Sequence, residues 1–158
     1  MEKPAVYVAE CAFGKGVFAL HNFESGEDIL RLVGKVITRE ETISKGHTSM
    51  NPLQISPLLY IDLEPPGVYF NHSCVPNAAI QKDVFLIALR PIKSGEEICY
   101  DYSTTIFERR ETMNCQCGTP RCRKVIGDFD DLPLPLQKQY LEMGVVQSFI
   151  CQAFSARL

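Results

Sequence analysis

Short apolar runs separated by turn residues fill the first part of the chain. Val6 to Val8 and Val17 to Leu20 read as strands with Phe13-Gly14-Lys15-Gly16 as a tight turn between them, and Ser25-Gly26-Glu27 turns into a strand over Asp28 to Val33. Together they predict a β meander. The pattern lapses over residues 39–57, which are polar, hold Gly46 and two prolines, and support at most a short helix over Arg39 to Ser44. This segment reads as a variable insert. Leu58 to Leu63 is the next strand, Pro65-Pro66-Gly67 a turn, and Ala78 to Gln81 with Val84 to Leu89 a hairpin turning near Lys82-Asp83. Pro91 to Gly95 forms a loop before a last short strand, Glu97 to Tyr100. From Leu132 the spacing becomes helical: Pro133 and Pro135 suit a helix start, and Leu136, Tyr140 and Met143 share one face. Gly144 interrupts, and Val146, Phe149, Ile150 and Phe154 suit a second helix.

Two stretches fit neither period. Tyr69 to Asn77, YFNHSCVPN, packs two amides, an imidazole, a hydroxyl, a thiol and a proline into one run. It is too polar for ordinary core and too rigid for a linker. Residues 113–127 hold three cysteines, two glycines and a proline with little periodicity, the composition of a small metal-held loop.

Composition narrows the classes. A chain of 158 residues, 46% hydrophobic and 22% charged, suits one globular domain. Its net charge of −3 provides no overall basic field for nucleic acid or an anionic membrane, so direct nucleic-acid binding is not expected and a basic partner is the natural one. No run reaches the length of a membrane-spanning helix, and the charged start MEKPAVYVAE lacks the apolar block of a secretory signal. A cytoplasmic or nuclear setting follows. In that setting seven cysteines point to metal rather than to disulfides.

Cys115-x-Cys117-x4-Cys122 offers three thiolates, and a structural zinc site wants four ligands. Cys74, in the rigid polar run, is the best fourth candidate, because Cys11, Cys99 and Cys151 lie in apolar contexts. Arg121, Arg123 and Lys124 would offset the charge of a four-thiolate centre. The Gly14-Lys15-Gly16 pattern alone is that of a hairpin, while Tyr100-Asp101-Tyr102 places two phenols beside a carboxylate just after a strand.

The order G-x-G, NHSC-x-PN, GEEI-x-YDY, C-x-C-x4-CR resembles the SET-domain protein lysine methyltransferases that carry a post-SET zinc loop. The resemblance runs from about Ala5 to Gly127, with residues 128–158 similar to the helical tail of small stand-alone SET proteins. It implies a mostly β SET domain over residues 1–112, with the focal stretch threaded into a pseudoknot, a post-SET loop over 113–127 and a helical tail over 128–158. It further implies that Lys15, Gly16 and Val17, through their backbone, and Asn71, His72 and Tyr102 bind S-adenosylmethionine. Tyr102 would be the catalytic tyrosine, and Tyr100, where the family carries Phe or Tyr, would favour monomethylation by holding a water. Cys74, Cys115, Cys117 and Cys122 would hold zinc, and the substrate would be a protein presenting a lysine, such as a histone-like tail. The alternative is a catalytically weak SET-fold peptide-binding module. Three positions depart from the family: Val68 stands where arginine is frequent, Met113 where tryptophan is, and Lys124 where glycine is.

Overall fold

The computed structural model describes residues 4–45, 52–110 and 112–155. Twelve short strands and three α-helices, with three single 3-10 turns between them, follow one another along them. In chain order they are β1 (Val6–Cys11), β2 (Gly14–Ala19), β3 (Asp28–Arg31), β4 (Gly34–Thr38), α1 (Arg39–Ser44), β5 (Leu53–Gln54), β6 (Leu59–Leu63) and β7 (Asn71–His72). The second half adds β8 (Ala78–Gln81), β9 (Phe85–Ala88), β10 (Cys99–Tyr100), β11 (Met113–Asn114), β12 (Val125–Ile126), α2 (Leu134–Met143) and α3 (Ser148–Ser155).

Small curved sheets replace one large one. β1 and β2 form a hairpin, β9 lies between β3 and β8, and β6 lies between β4 and β5. β7 pairs with β10 and β11 with β12. The first hairpin turns one step earlier than the glycines suggest, at Ala12-Phe13, with Gly14 and Gly16 inside β2. Its register of Cys11 against Gly14 leaves two residues for the loop, and Gly14, directly after them, takes a left-handed φ of +95° that residues with a side chain rarely adopt. The expected turn at Lys82-Asp83 forms with φ of 50° and 68°, the conformation that matches the twist of paired strands.

The apolar run of β8 and β9 has a structural reason. Ala78, Ile80, Leu86 and Ala88 face the main core with Val17, Phe23, Leu32 and Ile98, whereas Ala79 and Ile87 point the other way into a second core. A sheet buried on both faces needs no polar alternation. The second core is the helical tail: Phe129, Leu132, Tyr140, Val145 and Ile150 cover the outer face of that sheet.

The tail starts and stops as its sequence predicts, with Pro135 in the first turn of α2 and Gly144 closing it at φ 68°. Met143 departs from the expected inner face and is 38% exposed, because it is the last residue of α2. Gln147 anchors the start of α3 by donating to the Gln54 carbonyl at 2.8 Å. In the insert, Thr38 and Glu41 form a reciprocal cap on α1; Gly46 and the rest of residues 46–51 lie outside the described residues. No helix of the described residues is long and apolar enough to cross a membrane.

Candidate active site and metal centre

Two very short strands bring the chemistry together. β7 and β10 lie parallel, with Asn71 opposite Cys99 and His72 opposite Tyr100, so the NHSC segment is set beside the YDY segment. Such a pairing cannot come from a hairpin and requires a long crossing connection, here the β8–β9 hairpin and the loop after it. Asn77 fastens the crossing: its Oδ1 accepts from the Cys99 N–H at 2.9 Å and its Nδ2 donates to the Glu97 carbonyl at 2.8 Å. Ser73 N–H donates to the Tyr100 carbonyl at 3.1 Å. This is the pseudoknot of the fold.

A cleft of about 160 Å³ lies in front of it, lined by Phe13, Asn71, His72, Tyr102, Ile126 and the segment Met113 to Cys117. Asn71 Nδ2 donates to the Lys15 carbonyl at 3.0 Å and to Glu97 Oε1 at 2.8 Å. Gly16 makes that arrangement possible, since a Cβ there would sit 2.5 Å from Glu97 Oε1. Val17 is fully buried in the main core, and its carbonyl accepts from Ile98 N–H.

His72 is held at both nitrogens. Its Nδ1 accepts from the Tyr102 backbone N–H at 3.1 Å, which leaves the ring proton on Nε2, 3.3 Å from the Cys74 sulfur. Burial, opposed by the Asp101 charge and aided by Arg123, lowers its pKa to about 4, so the imidazole is neutral at physiological pH. Tyr102 donates its hydroxyl to the Phe70 carbonyl at 2.6 Å, and its ring packs 5.3 Å from His72 and 5.0 Å from Tyr100. Burial raises both phenols well above the ordinary range, so both stay protonated. Tyr100 packs against Tyr102 and belongs to the main core rather than to the cleft wall.

The four cysteines singled out by spacing converge. The sulfurs of Cys74, Cys115, Cys117 and Cys122 all lie within 4.8 Å of one another, and Cys74 and Cys115 are 3.6 Å apart. A tetrahedral zinc with Zn–S bonds of about 2.3 Å has sulfur–sulfur edges of about 3.8 Å, so this donor set fits the ion. Backbone N–H groups support it: Arg123 donates to the Cys74 sulfur and Lys124 to that of Cys122, both at 3.4 Å. Burial pushes the Cys74 and Cys115 thiols up. At Cys117 burial is outweighed by hydrogen bonds from Thr119 and the neighbouring thiols, which bring it down to about 6. Lys124 takes a left-handed φ of 67°, which is the physical reason glycine suits that position.

One network was not legible in the motifs. Arg123 does more than offset charge: it grips Asp101 with two hydrogen bonds of 2.8 Å, and Tyr140 of α2 donates to the same carboxylate at 3.0 Å. The Asp101 side chain is fully buried, so this pair ties the YDY segment, the cysteine loop and the tail together. Its only sequence signal is the carboxylate between the two tyrosines. Glu97, the partner of Asn71, is the other functional neighbour that spacing did not single out.

Comparison with known proteins agrees with this geometry. The family described as SET domain matches residues 14–103. Among curated proteins, the chain is 35% identical over 139 residues to histone-lysine N-methyltransferase ash1 of Drosophila melanogaster, covering 78% of this chain and 6% of that protein. It is 35% identical over 131 residues to histone-lysine N-methyltransferase ASHH3 of Arabidopsis thaliana, covering 72% of this chain and 36% of that protein. The chain therefore spans only a small part of these relatives. Among solved structures, KRYPTONITE in complex with mCHH DNA, an H3(1-15) peptide and SAH superposes with a TM-score of 0.60 at 22% identity, covering 77% of this chain and 29% of that one. That likeness carries the fold. With the family match spanning more than half the chain, and the NHSC and YDY segments crossing as described, this chain belongs to the SET-domain family.

Proposed function

We propose that the chain transfers a methyl group from S-adenosylmethionine to the side-chain amine of a lysine in a protein, with a basic histone-like tail as substrate class and the monomethyl product favoured. The observation that carries this reading is Tyr102, a protonated phenol fixed by Phe70 at 2.6 Å on the wall of the cleft that Asn71 and His72 share. The names of the relatives support the reaction class, and the H3 peptide and SAH of the KRYPTONITE complex support the kinds of substrate and donor.

When bound, S-adenosylmethionine supplies a methyl activated by a positively charged sulfur. The chain's residues do the rest. Asn71 Nδ2 is committed to Lys15 and Glu97, which leaves Oδ1 to accept from the donor's ammonium. Neutral His72 and the backbone beside it receive the other end. Phe13 and the loop from Met113 to Cys117 form the opposite wall of the cleft, and burial against Phe13, Met113 and Ile126 favours the neutral amine of the incoming lysine. Tyr102 orients that amine, and because its phenol stays protonated it acts as a hydrogen-bonding wall rather than as a base. A zinc held by Cys74, Cys115, Cys117 and Cys122 would fix the loop against the β7 segment.

Gly16→Ala tests the donor side. The added methyl must displace the Glu97 carboxylate from Asn71, and because that carboxylate ends a flexible side chain, the strand itself survives. Calorimetric titration with S-adenosylmethionine should show affinity reduced about tenfold, with the melting temperature nearly unchanged. Equal affinity would separate Glu97 and Asn71 from donor binding.

Tyr100→Phe tests product degree. Tyr100 stands one ring back from the cleft, 5.0 Å from Tyr102, so its proposed effect runs through a water held between its hydroxyl and the amine. Without that anchor, dimethyl and trimethyl products should rise relative to monomethyl in mass spectra of methylated core histones. An unchanged product ratio would contradict the role given to Tyr100. For the reaction as a whole, mass spectra of histones incubated with chain and donor should locate methyl groups on lysine; donor binding without any methylated lysine would indicate a peptide-binding module instead.

A further inference from the structure

A larger cavity, of about 510 Å³, lies away from the cleft, between the Cys74–Pro76 turn, the cysteine loop and α2. Its chemistry is one-sided. Three arginines line it, Arg90, Arg121 and Arg123, and no aspartate or glutamate does, although the chain as a whole carries a net charge of −3. Arg90 pairs with Glu96 at 2.5 Å and Arg123 with Asp101, whereas Arg121 has no carboxylate partner among the described residues. Between these cations the wall is apolar. Val75 and Met143 are exposed to 49% and 38% at its mouth, with Leu136 beside them.

We propose that this cavity docks an acidic peptide segment of a partner protein. A carboxylate meets the Arg121 guanidinium at the rim, and an aliphatic side chain from the same segment seats against Val75, Leu136 and Met143. The planar fork of arginine binds a carboxylate through two hydrogen bonds, and the volume lies within the range of binding pockets. The apolar wall disfavours nucleic acid, whose binding depends on a field of cations rather than on one arginine, and the local arginines outweigh the −3 net charge at this site. The site shares no lining residue with the donor cleft, so it stands whatever that cleft transfers.

Selection from a phage-displayed random-peptide library on the full chain tests it, followed by fluorescence anisotropy of the enriched peptides. The expected sequences combine aspartate or glutamate with leucine, isoleucine or phenylalanine. Arg121→Glu should weaken their binding by about tenfold or more through like-charge repulsion. Met143→Glu, on α2 and remote from the cysteines, should do the same with zinc content unchanged. Enrichment of peptides lacking acidic residues, affinity unaltered in both variants, or displacement of the peptides by single-stranded oligonucleotide would each overturn the proposal.

Discussion

Replacing Tyr102 by Phe should lower methyl transfer by about 100- to 1,000-fold, the range seen when one preorganised hydrogen-bond group is removed from an active site. The ring remains, so its packing against His72 and Tyr100 persists at centroid distances of 5.3 and 5.0 Å. What disappears is a hydroxyl held at 2.6 Å by the Phe70 carbonyl and protonated through burial. Loss of one such bond costs the fold only about 1 kcal/mol. Donor affinity, proposed to rest on Asn71, His72 and the Gly16 strand, should change by less than about twofold. Single-turnover kinetics beside calorimetric donor binding separates the two effects. A transfer rate within tenfold of the parent would remove Tyr102 from the catalytic role.

The second large effect is expected at Cys74. Cys74→Ala should abolish stoichiometric zinc, lower the melting temperature by about 10 °C or more and weaken donor binding, since structural zinc contributes directly to folding. The geometry explains the breadth of that loss. Cys74 is the only one of the four cysteines outside the loop, it is buried, and its sulfur meets His72 Nε2 at 3.3 Å. Removing it unties the loop from β7 and leaves an imidazole N–H without its acceptor. Cys151→Ala is the control, because Cys151 packs with the tail core, away from the cluster. Full zinc content in Cys74→Ala, measured by elemental analysis, would contradict the assignment.

Local pattern carried much of the fold, and its failures have physical causes. Turns at Ser25-Gly26 and Lys82-Asp83, the short α1, and the α2 stop at Gly144 all rest on local backbone preferences and were legible. β5, β11 and β12 were not, because a strand of two residues is too short to show an alternation, and β4 was not because its partner β6 follows only after the insert. The first hairpin was misplaced because its glycines serve two ends. Gly14 supplies a left-handed φ, while Gly16 makes room for Glu97 from the segment before β10, far later in the chain.

At the site, the residue types were legible and their connections were not. Spacing brought three cysteines together and the polar run supplied the fourth, which the structure places within 4.8 Å of them. The Asp101–Arg123–Tyr140 network joins three segments that no local pattern relates. The same holds for Glu97, whose carboxylate fixes the amide of Asn71. Buried charge pairs of this kind become visible only once the chain has crossed itself.

Transfer of tritium from labelled S-adenosylmethionine to core histones, run in parallel for the parent chain and for Tyr102→Phe with donor binding measured in both, tests the central claim most directly. Labelled lysine with the parent, and its loss in a variant that still binds the donor, is the predicted result. Donor binding by both chains with no label on any histone, or equal label from both, would contradict it.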